Sequence, residues 1–220
     1  MATTGTRETK ERILDAAECL FAEDGFDATS LRNVTTAAGV NLAAVNYHFG
    51  SKVALLEAVV RRVFEPVNAR QLERLEELEA EEEGSSVEEL LDAFVSPIFD
   101  LLDRSSERGR SVTRLFGRVM SDPGPEIRRM VIEEVGEVDG RYLRAFGRAL
   151  PHLPEDELWW RYGSMLGVLV SHRVGMLADL RPPEAPPPED DATERAWTTT
   201  FLSAALRAPA AEPHPTHRTR

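Results

Sequence analysis

The chain has 220 residues, of which 29% are charged and 42% hydrophobic, an ordinary balance for one or two globular domains. A single cysteine, Cys19, excludes a disulfide framework within the chain, and no apolar run reaches the roughly 18 residues of a membrane span. The N-terminus lacks an apolar signal core, so the sequence predicts a cytoplasmic protein that does not enter the membrane.

The formal net charge of −12 argues at first against a nucleic-acid partner, but the acidic residues are unevenly distributed. Residues 1–62 hold seven basic and eight acidic side chains, whereas residues 63–220 hold 19 basic and 30 acidic ones. Residues 26–51 contain only two charged side chains, Asp27 and Arg32. The N-terminal part of the chain is therefore nearly neutral and remains compatible with DNA binding.

Helical periodicity runs through nearly the whole chain, and no stretch alternates for long enough to predict a strand. The predicted helices span 7–24, 31–38, 42–48, a fourth from Lys52 past Arg62 that Pro66 bends or interrupts, 87–104, 110–121, 124–149, 155–179 and 192–207. Gly25 and Gly39 end the first two helices, and Asn41 and Ser51 can cap the next two. The sequence therefore predicts an all-α fold.

The second and third predicted helices are short and are separated by Gly39, which is the pattern of a helix-turn-helix. The third, LAAVNYH, presents small and polar side chains where an acidic protein would ordinarily carry Glu and Lys. DNA phosphates would repel a carboxylate there, whereas Asn and His can bind base edges and Ala or Leu can touch a thymine methyl group. Lys52, at the start of the fourth helix, can hold a phosphate.

The same residues also admit a structural interpretation. Many helical hairpins contain a glycine turn, and in such a hairpin Tyr47 and His48 would be packing residues. Asn41 and Ser51 would then only cap their helices. The combination of a three-helix N-terminus, an uncharged third helix and a closing Ser-Lys pair favours DNA binding.

The segment ILDAAECLFAEDGFDATSLRNVTTAAGVNLAAVNYHFGSKVALLEAV resembles the N-terminal domain of the TetR family of bacterial transcriptional regulators. This resemblance implies a helix-turn-helix DNA-binding domain over residues 1–52 and a larger helical ligand-binding and dimerisation domain over 53–207. The last residues, APAAEPHPTHRTR, predict a disordered tail over 208–220. The resemblance also implies a homodimer that binds a palindromic operator in double-stranded DNA, usually a repressor released by a small ligand. VNLAAVNYHFGSK is similar to a branch that includes fatty-acid-responsive regulators, which suggests a fatty acid or acyl-CoA as effector.

By position, the resemblance assigns the DNA contacts to two helices and the lysine that follows them. The residues concerned are Thr29, Ser30, Arg32, Asn41, Leu42, Ala43, Ala44, Asn46, Tyr47, His48 and Lys52. Many members of the family carry tyrosine where this chain has Asn46. An asparagine there can make a bidentate contact to adenine, so the operator preference should differ from that of those members.

A stripe of small side chains recurs every four residues in the predicted helix 155–179, at Gly163, Gly167, Ser171 and Gly175. Glycine inside a helix costs roughly 1 kcal/mol relative to alanine, so three on one line need a physical reason. Close approach of a second helix provides one, either across a two-fold dimer or within the same chain. The resemblance favours the dimer, with Trp197 and Phe201 of the last predicted helix as its second element.

A set of apolar side chains on the predicted inner helices can line an effector cavity: Phe94, Phe99, Leu115, Phe116, Val119, Met120, Trp159, Tyr162, Met165 and Leu166. Helical spacing of aromatic residues equally predicts an ordinary core. Arg110, Arg114 and Arg118, spaced four residues apart, either receive an acidic group of the effector or form a solvated face paired with glutamates.

The sequence thus predicts a dimeric, ligand-responsive regulator that needs no cofactor and no metal. An enzyme is not expected, since the chain has no glycine-rich phosphate loop, no HExxH motif and no Cys–His pairing. The alternative is a helical small-molecule-binding or protein-interaction module without specific DNA binding, which the acidic net charge would suit.

Overall fold

A computed structural model describes residues 2–81, 84–121, 124–176 and 178–211. The α-helices in this part of the chain are α1 (Ala2–Glu23), α2 (Leu31–Ala38), α3 (Leu42–Phe49), α4 (Lys52–Glu79), α5 (Val87–Leu101), α6 (Glu107–Ser121), α7 (Pro125–Ala149), α8 (Glu155–Arg173) and α9 (Asp191–Arg207). A short 3₁₀ turn spans Ala178–Leu180. The all-α prediction is confirmed, whereas most of the predicted disordered tail, 212–220, lies outside the described residues. No helix in the described ranges combines the length and apolar character needed to cross a bilayer.

Side-chain caps set several helix boundaries. At the start of α5, Ser86 and Glu89 form a reciprocal capping box, in which the Glu89 amide donates to the Ser86 hydroxyl over 3.2 Å and the Ser86 amide donates to the Glu89 carboxylate over 2.8 Å. At the start of α9, the Asp190 carboxylate accepts from the Thr193 amide over 2.7 Å. Each such cap stabilises its helix by about 1 kcal/mol. The two helices begin within one residue of their predicted starts.

Helix α4 continues through Pro66 for 28 residues, so of the two predicted alternatives, a bend or an interruption, the interruption is wrong. A proline inside a helix removes a backbone hydrogen bond and costs about 3 kcal/mol. The buried side chains of Val63, Val67 and Leu75 offset that cost, because burying each contributes roughly 1.5–3 kcal/mol. The result is a single rod about 42 Å long by helical rise, which enters two separate hydrophobic cores.

Helix α8 ends at Arg173, before the predicted end at residue 179. Gly175 follows in a left-handed conformation, with φ of +71°, which a residue with a β-carbon rarely adopts. The predicted stripe of small side chains therefore stops at Ser171. The assignment of Gly175 to a helical dimer stripe is wrong, because that glycine serves the turn.

Two hydrophobic cores organise the fold. The N-terminal core joins α1–α4 with α6 and includes Ile13, Phe21, Val34, Val45, Leu56, Val112 and Leu115, all of them at most 4% exposed. The C-terminal core joins the second half of α4 with α5 and α7–α9 and includes Leu75, Phe94, Tyr142, Phe146, Tyr162 and Leu202. Its centre is an aromatic cluster, in which the rings of Phe94 and Tyr142 meet edge to face with centroids 4.9 Å apart. Helix α4 contributes side chains to both cores and so connects them directly.

One carboxylate sits in a poorly solvated place at the edge of the C-terminal core. Asp139 of α7 accepts a hydrogen bond of 2.8 Å from the Tyr162 hydroxyl of α8. Burial raises the pKa of Asp139, although the Tyr162 hydrogen bond opposes the shift. The native state therefore binds this proton more tightly than the unfolded chain does.

Replacing Asp139 with asparagine is expected to stabilise the fold at pH 7 and to remove part of its pH dependence. The wild-type free energy of unfolding should fall as pH rises from about 4, the ordinary Asp value, through the raised native pKa. Urea unfolding at several pH values between 4 and 7 measures this directly, with Glu137→Gln on the exposed face of α7 as control. If the free energies of unfolding of Asp139→Asn and wild type differ by the same amount at every pH in this range, the pKa of Asp139 is not raised in the native state.

Candidate nucleic-acid interface

The helix-turn-helix is built from local caps around one left-handed glycine. Ser30 and Asn33 form a capping box at the start of α2, where the Asn33 amide donates to the Ser30 hydroxyl over 3.1 Å. Gly39 ends α2 with φ of +62°, and its amide donates back to Thr36 over 3.2 Å. Asn41 then caps α3 by accepting from the Ala44 amide over 2.9 Å. The two helices are thus joined by a turn of three residues.

Helix α3 is anchored by one side chain and presents most of the others outward. Val45 is fully buried in the N-terminal core. On the opposite side Tyr47 is 79% exposed and Leu42 44% exposed, and Ala43 and Asn46 are also exposed. The outward face carries no carboxylate, so phosphate repulsion does not prevent its approach to a major groove.

The remaining predicted contacts in this region fall into three groups. Ser30, Arg32 and Asn41 are exposed, whereas Ala44 and His48 are half-buried at the edges of the α3 face. Thr29 is only 1% exposed, and its hydroxyl donates to the Gly25 carbonyl over 2.7 Å. The prediction that the Thr29 side chain contacts DNA is therefore wrong, because its hydroxyl fixes the loop between α1 and α2.

Lys52 occupies the first turn of α4, directly after the Ser51 cap. Its ammonium lies 3.3 Å from the Asp27 carbonyl oxygen and 4.3 Å from the centroid of the Phe26 ring. A cation at a helix N-terminus opposes the helix dipole, and these two contacts offset the cost. The ammonium and the first free amides of α4 both attract an anion, so a phosphate would be favourable here.

Replacing Lys52 with alanine is expected to weaken binding to every DNA sequence by a similar factor. It should also lower the slope of log affinity against log salt by about 1, because one fewer counterion is released. Fluorescence anisotropy with a preferred and a scrambled duplex, each at several salt concentrations, measures both quantities. Lys10→Ala, which removes an exposed charge from α1, is the control. A loss confined to the preferred duplex would contradict the phosphate assignment.

The structure does not gather the predicted effector-binding residues around one cavity. Within the C-terminal core lie Phe94, Phe99, Tyr162 and Met165, with Leu166 packed against them. Within the N-terminal core lie Leu115 and Val119, with Phe116 packed against them. Trp159 points outward and is 66% exposed, whereas the side chain of Met120 lies outside the described residues. Trp159 therefore does not line a pocket in this arrangement. Helical periodicity predicted that it faces the inside of the domain, whereas it lies on the exposed side of α8.

An open groove of about 1060 Å³ lies instead between α8, α9 and the turn that precedes α6. Its apolar wall includes Val168, Trp197 and Phe201, and none of the ten predicted effector residues is among the described residues that line it. The groove thus overlaps the predicted dimer surface, since Ser171, Gly175, Trp197 and Phe201 line it, and it lies away from the aromatic cluster.

The small side chains of α8 face open space. Gly163 and Gly167 are exposed, and apart from its chain neighbours and the adjacent backbone of α8, a β-carbon built on either would meet no described atom within 4 Å. Trp197 and Phe201 of α9 are 60% and 59% exposed. Tight packing within the chain therefore does not account for the two glycines, and we name this surface of α8 and α9 the α8–α9 face.

Arginine side chains hold two helix ends that sequence reasoning did not connect. Arg118 of α6 donates to the last carbonyls of α1, with Nε 2.9 Å from the Ala22 oxygen and Nη2 2.5 Å from the Glu23 oxygen. Among the described contacts, Arg118 therefore binds backbone carbonyls and not the glutamate carboxylate of the predicted solvated face. Arg12 similarly donates to the end of α2. Neither partner is visible in the sequence, because each contact joins distant segments.

Family models match both parts of the chain. The model described as bacterial regulatory proteins of the tetR family matches residues 13–59, and the model described as the tetracyclin repressor-like C-terminal domain matches residues 92–206. The chain belongs to the TetR family. It is accordingly a transcriptional regulator whose helix-turn-helix binds DNA. The first match covers α2, α3 and the start of α4, where the uncharged face lies.

Curated relatives and solved structures agree with this membership. The chain is 28% identical to the probable regulator YttP of Bacillus subtilis, over 66% of this chain and 70% of YttP. It is 27% identical to the repressor KstR of Rhodococcus jostii, over 61% of this chain and 70% of KstR. In fold it is similar to the fatty acid degradation regulator FadR of Bacillus halodurans, with a TM-score of 0.68, 16% identity and coverage of 90% and 96% of the two chains. FadR of Bacillus subtilis, solved with stearoyl-CoA, gives a TM-score of 0.67 at 15% identity, covering 89% and 98%.

Proposed function

We propose that this TetR-family regulator is a homodimeric repressor that binds a palindromic operator and is released by a small apolar effector, a fatty acid or acyl-CoA. The observation that carries the proposal is the exposed, carboxylate-free face of α3 beside Lys52. In a dimer the two α3 helices would enter successive major grooves about 34–36 Å apart. The proposed DNA-binding domain is 1–52 and the proposed effector and dimerisation domain is 53–207.

The α8–α9 face supports the dimer. Its two open glycines allow a helix backbone to approach closely, and its exposed Trp197 and Phe201 form an apolar surface of the kind that marks protein interfaces. A two-fold axis would bring this face against the same face of a second copy, so each favourable contact would occur twice.

Two structural links support effector-controlled release. Helix α4 runs from the helix-turn-helix into the C-terminal core, and Arg118 of α6 holds the end of α1. Because α4 packs in the C-terminal core and α6 contacts α8, an effector that separates the helices of that core would move both links and change the distance between the two α3 helices. Only a molecule that binds the two arrangements unequally can shift them.

The apolar nature of the effector rests on the C-terminal core and on one similar protein. The core side chains that α4, α5, α7 and α8 enclose are mainly aromatic and aliphatic, so an acyl chain would meet compatible surroundings if the helices parted. The Bacillus subtilis FadR structure was solved in complex with stearoyl-CoA. An acyl compound is therefore the first effector to test.

Fluorescence anisotropy of the purified protein on the DNA upstream of its own gene tests the proposal. Specific binding should weaken steeply with salt, and stearoyl-CoA or free stearate should release the DNA. If the protein binds the DNA specifically but acyl compounds do not release it, the proposed acyl effector is wrong and the proposed operator binding stands. If selection from random DNA also yields no preferred duplex, the proposal of operator binding is wrong.

A further inference from the structure

The turn between α2 and α3 is held from outside by a single side chain of α1. Arg12 Nη2 lies 2.5 Å from the carbonyl oxygen of Ala38, the last residue of α2, and 3.0 Å from that of Gly39. Within the described part of the chain, no ion pair joins Arg12 to a carboxylate. The carboxylates of α1, Glu11, Asp15 and Glu18, pair instead with Arg62 of α4. The described hydrogen bonds of the Arg12 guanidinium thus all go to the turn.

Among the described hydrogen bonds, neither of these two carbonyls accepts from a backbone amide. The amides of Gly39 and Val40 already fold back to the Thr36 and Thr35 carbonyls, over 3.2 and 3.0 Å. The carbonyls of the last helical turn have no helical partner, and a cation at that end is favoured by the helix dipole. Arg12 supplies both a donor and a positive charge at this position.

Gly39 suits the arrangement in two ways. Its φ of +62° lies in the left-handed region, and a β-carbon built on it would come within 2.7 Å of Arg12 Nη2. Because that nitrogen ends a flexible side chain, a methyl group there would displace the guanidinium, and it would also strain the left-handed backbone of Gly39. The absence of a side chain at Gly39 therefore makes room for Arg12 as well as for the turn.

We propose that Arg12 is a positioning residue for sequence-specific DNA binding, an inference that rests on the proposed operator binding. By joining two consecutive carbonyls to α1, the guanidinium fixes the direction in which the chain enters α3, which begins at Leu42. Base contacts depend on that direction to within about an ångström, whereas attraction to phosphates does not. Loss of Arg12 therefore reduces discrimination between DNA sequences more than it reduces general affinity.

The test compares wild type with Arg12→Met and with Arg12→Lys. The lysine keeps the positive charge but lacks the planar guanidinium group. Arg7→Met removes an equal charge from an exposed position on the same helix and is the matched control. Anisotropy gives the ratio of affinities for a duplex selected by the wild-type protein and for a scrambled duplex. Arg12→Met should lower this ratio roughly tenfold with little change in the thermal midpoint, Arg12→Lys should fall between, and Arg7→Met should leave the ratio unchanged.

A double-mutant cycle separates positioning from other roles. If Gly39→Ala acts by displacing the guanidinium, its effect on the ratio should be smaller in the Arg12→Met background than in wild type.

An unchanged ratio in Arg12→Met would overturn the inference while leaving operator binding intact. Equal losses on both duplexes with a salt slope lower by about 1 would make Arg12 a phosphate contact instead. A wild-type ratio near one would overturn operator binding, and this inference with it. If Arg12→Met fails to fold, Arg12→Lys decides the matter, and an unchanged ratio in that variant would overturn the inference.

Discussion

Replacing Trp197 and Phe201 together with glutamate is expected to convert the protein to a monomer and to lower its operator affinity by about a hundredfold or more. Both side chains are more than half exposed in the single chain, so the substitutions should leave its own cores intact. In a two-fold dimer each substitution occurs in both copies, so association would bury every new carboxylate without a charged partner. This strongly disfavours the dimer. A monomer offers one α3 helix to the operator, so the second half-site no longer adds to binding.

Sedimentation velocity and anisotropy measure the two parts of this prediction. Ile132→Glu is the matched control, because Ile132 is equally exposed, at 59%, but lies on α7 away from the α8–α9 face. The control should remain dimeric and bind the operator like wild type. A double glutamate variant that still sediments as a dimer would place the interface elsewhere on the molecule.

The helices and the helix-turn-helix could be predicted because their signals are local. Caps such as Ser86 and Asp190, and the left-handed Gly39, act within three or four residues of the boundaries that they set. Whether Pro66 interrupts α4 could not be decided from the sequence, for the opposite reason. Its cost is local, but the burial that offsets it comes from the packing of α4 against other helices, which no short window of sequence contains.

The candidate site was less predictable wherever a side chain has a distant partner. Position within the family motif suggested a DNA contact for Thr29, but its hydroxyl binds carbonyls at the end of α1. Periodicity marked Trp159 as apolar without saying which neighbour its face would meet, and in the single chain it meets none of the core. Arg118 contacts a segment 95 residues earlier, so its role was invisible until the chain was folded.

Replacing Ala43 with glutamate is expected to abolish measurable operator binding, a loss of about a hundredfold or more, without destabilising the protein. Ala43 is exposed in the first turn of α3, where a carboxylate is favourable for the helix dipole. Loss of binding therefore cannot be attributed to unfolding of α3. The new charge would face the phosphates that line the major groove, and like charges brought together in this way cost several kcal/mol.

Ala69→Glu, at an exposed position on α4 beyond the helix-turn-helix, is the control for net charge. Both variants make the protein more acidic by one charge, so a long-range effect of net charge would weaken DNA binding equally in the two. If α3 enters the groove, only Ala43→Glu loses binding, while thermal unfolding shows both variants to be as stable as wild type. If Ala43→Glu binds the operator normally, another surface of the protein contacts the DNA and the exposed face of α3 has no part in recognition.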